Sequence, residues 1–207
     1  MQHFSPKQRY EQDLAKPGFQ PDLAQAQAVD KLQGLYDRLI AQEAKPRGVA
    51  ARLRRVFGEK STPEQGLYFW GGVGRGKTYL VDVFYESLPF DAKLRVHFHR
   101  FMQRVHQELT VLAGEKNPLE RVAAGIASEA RVICFDEFFV SDIADAMILA
   151  GLMTALFQRG VTLVATSNIE PGDLYKDGLQ RARFLPAIKL IETYTDVVNV
   201  DSGVDYR

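Results

Sequence analysis

Between Gly71 and Thr78 the chain reads GGVGRGKT, four glycines with a lysine and a threonine in eight residues. Gly71, four intervening residues and then Gly76-Lys77-Thr78 fit the pattern G-x-x-x-x-G-K-[ST], with the apolar run LYFW before it and a helical pattern after it. This is chemistry for holding phosphate. Glycines let successive backbone N–H groups close on an anion, and the following helix adds its positive N-terminal end. Lys77 is placed to reach the terminal phosphates, and the Thr78 hydroxyl to take a position on Mg²⁺. The expected nucleotide-binding stretch is Gly71, Gly72, Val73, Gly74, Arg75, Gly76, Lys77, Thr78 and Tyr79.

A second constellation follows. The apolar run Val132-Ile133-Cys134-Phe135 ends in Asp136-Glu137, two carboxylates at the carboxyl end of a central strand. Asp136 suits a magnesium ion reached through water, and Glu137 suits the general base that polarises an attacking water. Asn168 closes the apolar run VTLVATS, where its amide could bond a water or a phosphate oxygen. In GLQRARFLPAI, Arg181 and Arg183 are candidates for stabilising charge on a neighbouring subunit's nucleotide. His97, His99 and His106 cluster in RVHFHRFMQRVH, and His97 and His99 would share a strand face. No acidic or cysteine companion stands at ligand spacing, so a packed or surface role is expected. Cys134, the single cysteine, reads as core.

The elements that must position these residues can be read from pattern. LYFW, LRVHFHRF, RVICF, VTLVATS and TDVVNV read as strands. Between them stand helical stretches over Thr78 to Leu88, MQRVHQELTVLAG, Ile143 to Phe157 and a segment after Pro171. Alternating strands and helices predict an α/β fold with a five-stranded parallel sheet flanked by helices. Residues 1–60 carry no strand signal. Val29, Leu32, Leu35, Tyr36, Leu39 and Ile40 recur at helical spacing, with Asp22 as the N-cap. The expected division is therefore an N-terminal helical segment over 1–60 and a nucleotide-binding core over 61–207. Arg52, Arg54, Arg55 and Lys60 read as a solvated basic face. Gln20, Gln25 and Gln27 are the glutamines placed to contribute to a base pocket.

The chain has 207 residues, 46% hydrophobic and 25% charged, and its 26 basic side chains balance 26 acidic ones. That composition suits a globular domain with a substantial core. Zero net charge gives no global pull toward nucleic acid or anionic lipid. The N-terminal stretch lacks the apolar core of a secretory signal, and IADAMILAGLMTALF, broken by Asp145, is too short to span a bilayer.

Phosphate loop, Asp-Glu strand end, polar strand tip and trailing arginines, in that order, resemble the core of the AAA+ ATPases. LYFWGGVGRGKT, VICFDEFFVSDIADAMIL, LVATSNIEPGDLY and GLQRARFLPAI are similar to one branch of them, the ZapE family of bacterial cell-division ATPases within the AFG1-like ATPases. The resemblance implies a P-loop fold, ATP and Mg²⁺ as ligands, Lys77 and Thr78 on phosphate and metal, and Asp136 and Glu137 as metal and water pair. It implies Asn168 as sensor and Arg181 or Arg183 as the finger. It further implies a homo-oligomeric ring acting on the tubulin-like division protein FtsZ, in the cytoplasm or recruited to the division site, with membrane association indirect. AAA+ modules generally continue into a helical lid, so a chain ending at Arg207 is expected to lack it. Phe98, Phe101 and Met102 fall where AAA+ proteins often line a pore, but read first as core. A helicase-loader-like ATPase and a nucleotide-gated binding module share these motifs and are the alternative readings.

Overall fold

The five apolar runs become five parallel strands in the computed structural model, which describes residues 4–19, 22–44 and 61–201. They are β1 (Gly66–Trp70), β2 (Lys93–His97), β3 (Val132–Asp136), β4 (Thr162–Ser167) and β5 (Thr195–Asn199). The sheet order is β2-β3-β4-β1-β5, with every neighbouring pair parallel. Parallel pairing demands crossover connections. These contain α3 (Lys77–Ser87), α4 (Phe98–Val111), α5 (Pro118–Glu129), α6 (Ile143–Gln158) and α7 (Leu185–Tyr194). Because all strands run the same way, the tips of β1, β3 and β4 open on one edge. The chain leaves β1 for β2, beyond two other strands, and leaves β4 for β5 on the opposite side, so a crevice forms at the tips of β1 and β4 where the two connections part.

Among the described residues, two further helices precede the sheet. α1 (Pro6–Leu14) starts at a capping box, with Gln8 N donating to Ser5 Oγ at 3.4 Å and Ser5 N donating to Gln8 Oε1 at 2.9 Å. α2 (Leu23–Ala44) starts where the sequence indicates: Asp22 Oδ1 accepts from Ala24 N at 2.6 Å and Gln25 N at 3.3 Å. Val29, Leu32, Leu35 and Leu39 are fully buried against Leu67, Phe69, Leu80 and Phe84, so α1, α2 and α3 cover one sheet face. α4 to α7 cover the other face around Phe98, Phe135, Phe138, Leu149 and Leu152. Each such leucine or phenylalanine contributes about 1.5–3 kcal/mol by leaving water. Cys134 lies wholly buried in β3, where burial pushes its thiol up to about 12.

Three details depart from the sequence reading. β2 stops at His97, and helix begins at Phe98 rather than after Phe101. Phe98, Phe101, Met102 and Val105 recur at helical spacing and are all buried, so packing claims them for one helical face. His97 and His99 therefore do not share a strand face. After Pro171 there is only a 3₁₀ turn, Pro171–Asp173, then a second at Arg181–Arg183, and α-helix resumes at Leu185. Tyr175 and Gln180, at φ +53° and +57°, interrupt what would be helix. Arg52, Arg54, Arg55, Lys60 and Gln20 lie outside the described residues.

Candidate functional site

β1 delivers the chain into the glycine loop, and α3 begins at its far side with Lys77. The turn depends on Gly76, at φ +75°, with the Gln25 carboxamide packed where a side chain would stand. Lys77 Nζ donates to Gly71 O at 2.6 Å, Gly72 O at 2.7 Å and Asn168 Oδ1 at 3.0 Å, using its three protons. One contact thus joins the phosphate loop to the polar tip beyond β4, as the register Trp70↔Ser167 allows. Burial lowers the Lys77 pKa from its ordinary value, Asp201 opposes that, and the Arg75 cation adds to it. Thr78 is exposed on the first turn of α3, and Val73 is exposed at the loop crest. Arg75 turns back to Asp201, just past β5, at 2.9 Å.

The acidic tip is held from both sides. Arg95 Nε and Nη2 donate to Asp136 Oδ2 and Oδ1 at 2.9 and 3.3 Å. Glu137, by contrast, keeps a solvent-exposed carboxylate, with His97 Nδ1 3.9 Å away. Its backbone is left-handed at φ +54°. β4 fixes that turn: Glu137 N donates to Thr166 Oγ1 at 3.2 Å, Phe138 N to Thr166 O at 2.7 Å, and Ser167 Oγ to Phe138 O at 2.8 Å. The Thr166 and Ser167 hydroxyls, buried beneath Asn168, thus aim the Asp-Glu pair.

A cavity of about 420 Å³ opens beside the loop, lined by Phe19, Gln25, Gly74, Gly76, Thr78 and Tyr79. Gln25 is 3% exposed and its Oε1 has no hydrogen-bond partner among the described residues. Phe19 and Tyr79 stand with ring centroids 5.4 Å apart, and the Tyr79 hydroxyl donates to Asp13 Oδ2 at 2.7 Å. Burial, then the bond to Asp13, raises the Tyr79 pKa, so the phenol stays a donor.

The arginines differ from each other. Arg181 is half-buried and donates to Gly172 O at 2.6 Å, whereas Arg183 is exposed and meets Gln180 Oε1 at 3.1 Å. Neither bonds the loop, Asp136 or Asn168 among the described residues. His106 pairs with Asp145 across α4 and α6 at 2.6 Å. Sequence reading missed Arg95, Phe19 and Thr166. Arg95 alternates with His97 beside the acidic strand, which is a signal only once the strand order is known.

A family model described as AFG1-like ATPase matches residues 4–207. The chain belongs to the AFG1-like ATPase family. It is 56% identical over 214 residues to the cell division protein ZapE of Escherichia coli K12, covering 100% of this chain and 57% of that protein. It is 46% identical over 159 residues to the zebrafish (Danio rerio) lactation elevated protein 1 homolog B, covering 72% and 32% respectively. The chain thus spans little more than half, or less, of these relatives. Its fold is shared with DnaI at a TM-score of 0.58 and 17% identity, covering 94% of this chain and 90% of that one. AMPPCP-bound DnaA from Aquifex aeolicus also scores 0.58, at 13% identity, covering 88% and 48%. These likenesses establish the family and the P-loop AAA+ fold. No helix among the described residues is long and apolar enough to cross a membrane.

Proposed function

We propose that this chain is the nucleotide-binding core of a magnesium-dependent ATP hydrolase that remodels a partner protein of the division machinery. The observation that carries the reading is the Lys77 ammonium bound to Gly71 O, Gly72 O and Asn168 Oδ1, which gathers loop and sensor at one crevice. Triphosphate would take over those interactions along the loop amides, with Lys77 on the terminal phosphates. The Thr78 hydroxyl and the Asp136 carboxylate fit magnesium, which asks for one or two protein oxygens beside phosphate and water. When bound, that ion neutralises charge developing between the outer phosphates. Glu137, exposed beside the strand tip, takes the proton of the attacking water, and Asn168 orients it. The cavity beside Gly76 suits a nucleoside, with Phe19 and Tyr79 against the base and the Gln25 carboxamide matched to the edge of adenine. Arg183 is the better placed of the two arginines to serve a second copy in a homo-oligomer, because it is exposed and meets only the nearby Gln180 side chain, whereas Arg181 is half-buried on the Gly172 carbonyl. The domain division near residue 60 belongs to this reading, with the N-terminal helices completing the nucleoside side of the core.

Glu137→Gln should retain nucleotide while phosphate release falls by about 100-fold or more, and Lys77→Ala should lose both. Fluorescent-nucleotide titration and phosphate release on the same preparations measure this. Wild-type turnover by Glu137→Gln removes Glu137 as base. The partner follows from the division role in the E. coli relative's name, and an FtsZ-like filament is its proposed form. Sedimentable filament should change when chain and ATP are added together. An equal yield with and without ATP eliminates that half of the proposal.

A further inference from the structure

Arg95 lies on β2, two residues before the position that pairs with Asp136; the register sets Arg95 beside Cys134 and His97 beside Asp136. Its guanidinium reaches along the strands and meets the Asp136 carboxylate side-on, with Nε and Nη2 on the two oxygens at 2.9 and 3.3 Å. Its remaining nitrogen, Nη1, pairs with Asp82 of α3. Asp82 stands four residues beyond Thr78, one turn along the same helix face. Both Arg95 and Asp136 are well covered, at 20% and 13% exposure, so water competes little for the pair.

We infer that Arg95 is a positioning residue that binds the metal-facing strand tip to the phosphate-loop helix. This rests on the nucleotide reading above. The planar guanidinium has donors enough for both carboxylates at once, which an ammonium in its place could not match in geometry. A carboxylate offers about four lone-pair sites, so Asp136 engaged side-on by Arg95 keeps acceptors for a metal-bound water. The bridge holds Asp136 and the helix turn bearing Thr78 at a fixed separation. Magnesium affinity then depends on Arg95, although Arg95 touches neither ion nor nucleotide. Asp82, half-exposed, acts as the second anchor rather than as a ligand.

The test separates metal coupling from general damage. A fluorescent ATP analogue is titrated into the 207-residue chain, once with excess EDTA and once with magnesium. Arg95→Met should leave the metal-free Kd nearly unchanged while the tightening due to magnesium shrinks by about 10-fold or more, the usual cost of losing a group that orients a metal ligand. Arg95→Lys should recover only part of it, and Asp82→Asn, a conservative change at a half-exposed site, should lose a smaller share. Should Arg95→Met fail to fold, as judged by near-ultraviolet circular dichroism, Asp82→Asn decides the matter alone. An unchanged magnesium response in the folded variants overturns the inference, and so does equal weakening in both buffers. A wild-type chain that takes up no nucleotide in either buffer overturns the ATPase reading together with it.

Discussion

Glu137 stands on a backbone that few L-residues accept. At φ +54° it bears a local cost of about 1–2 kcal/mol, sustained by the two β4 contacts at Thr166. Asp136 is engaged by Arg95 while Glu137 stays exposed near His97, so two adjacent acids have different surroundings. Gln25 offers a sharper test of the nucleoside cavity. Gln25→Leu keeps the volume and removes the carboxamide, and discrimination between ATP and GTP should shrink by about 10-fold, the worth of one well-made hydrogen bond. Competition titration measures it; an unchanged ratio with binding intact removes Gln25 as a reader of the base. Lys77, Thr78, Asp136, Glu137 and Asn168 could be singled out as candidates beforehand because the chemistry proposed for them needs set residue types at short spacing or at strand ends. Arg95 and Phe19 were not. Their partners lie 41 and 60 residues away along the chain, and only strand order and helix docking bring them together.

At the scale of elements, the docking of α1 against the loop helix depends on charge. Burial alone would lift the Asp13 carboxyl, but bonds from Lys16 and Tyr79 outweigh that and hold it below its ordinary 3.8. A depressed carboxyl stabilises the fold above that ordinary value and stops doing so as pH falls through the depressed one. Wild type should therefore melt above Asp13→Asn at neutral pH, with the gap closing in acid below 3.8. Thermal melts across that range check it; a gap as wide in acid as at neutrality would place the dependence elsewhere. The strands were legible because β3 and β4, buried on both faces, carry unbroken apolar centres, residues 132–135 and 163–165. The end of β2 was not. Histidine, phenylalanine and arginine suit a strand as well as a helix, and only the buried set Phe98, Phe101, Met102 and Val105 decides for the helix.

Over the whole molecule, α1 and α2 share a core with the sheet that carries the loop. Leu32 is 0% exposed within that core. Leu32→Ala should cost about 2–5 kcal/mol. The loss should appear in one transition common to far-ultraviolet ellipticity and nucleotide release, because the helices and the site bury a single continuous face. Two separate transitions would mean that the N-terminal helices unfold on their own.

The lone thiol has a practical corollary. Cys134 sits sealed inside β3 and stays protonated at ordinary pH, so maleimide chemistry on the folded chain meets a silent background. A cysteine installed at Val73, on the loop crest, would be the sole addressable handle and would report ligand arrival through one dye.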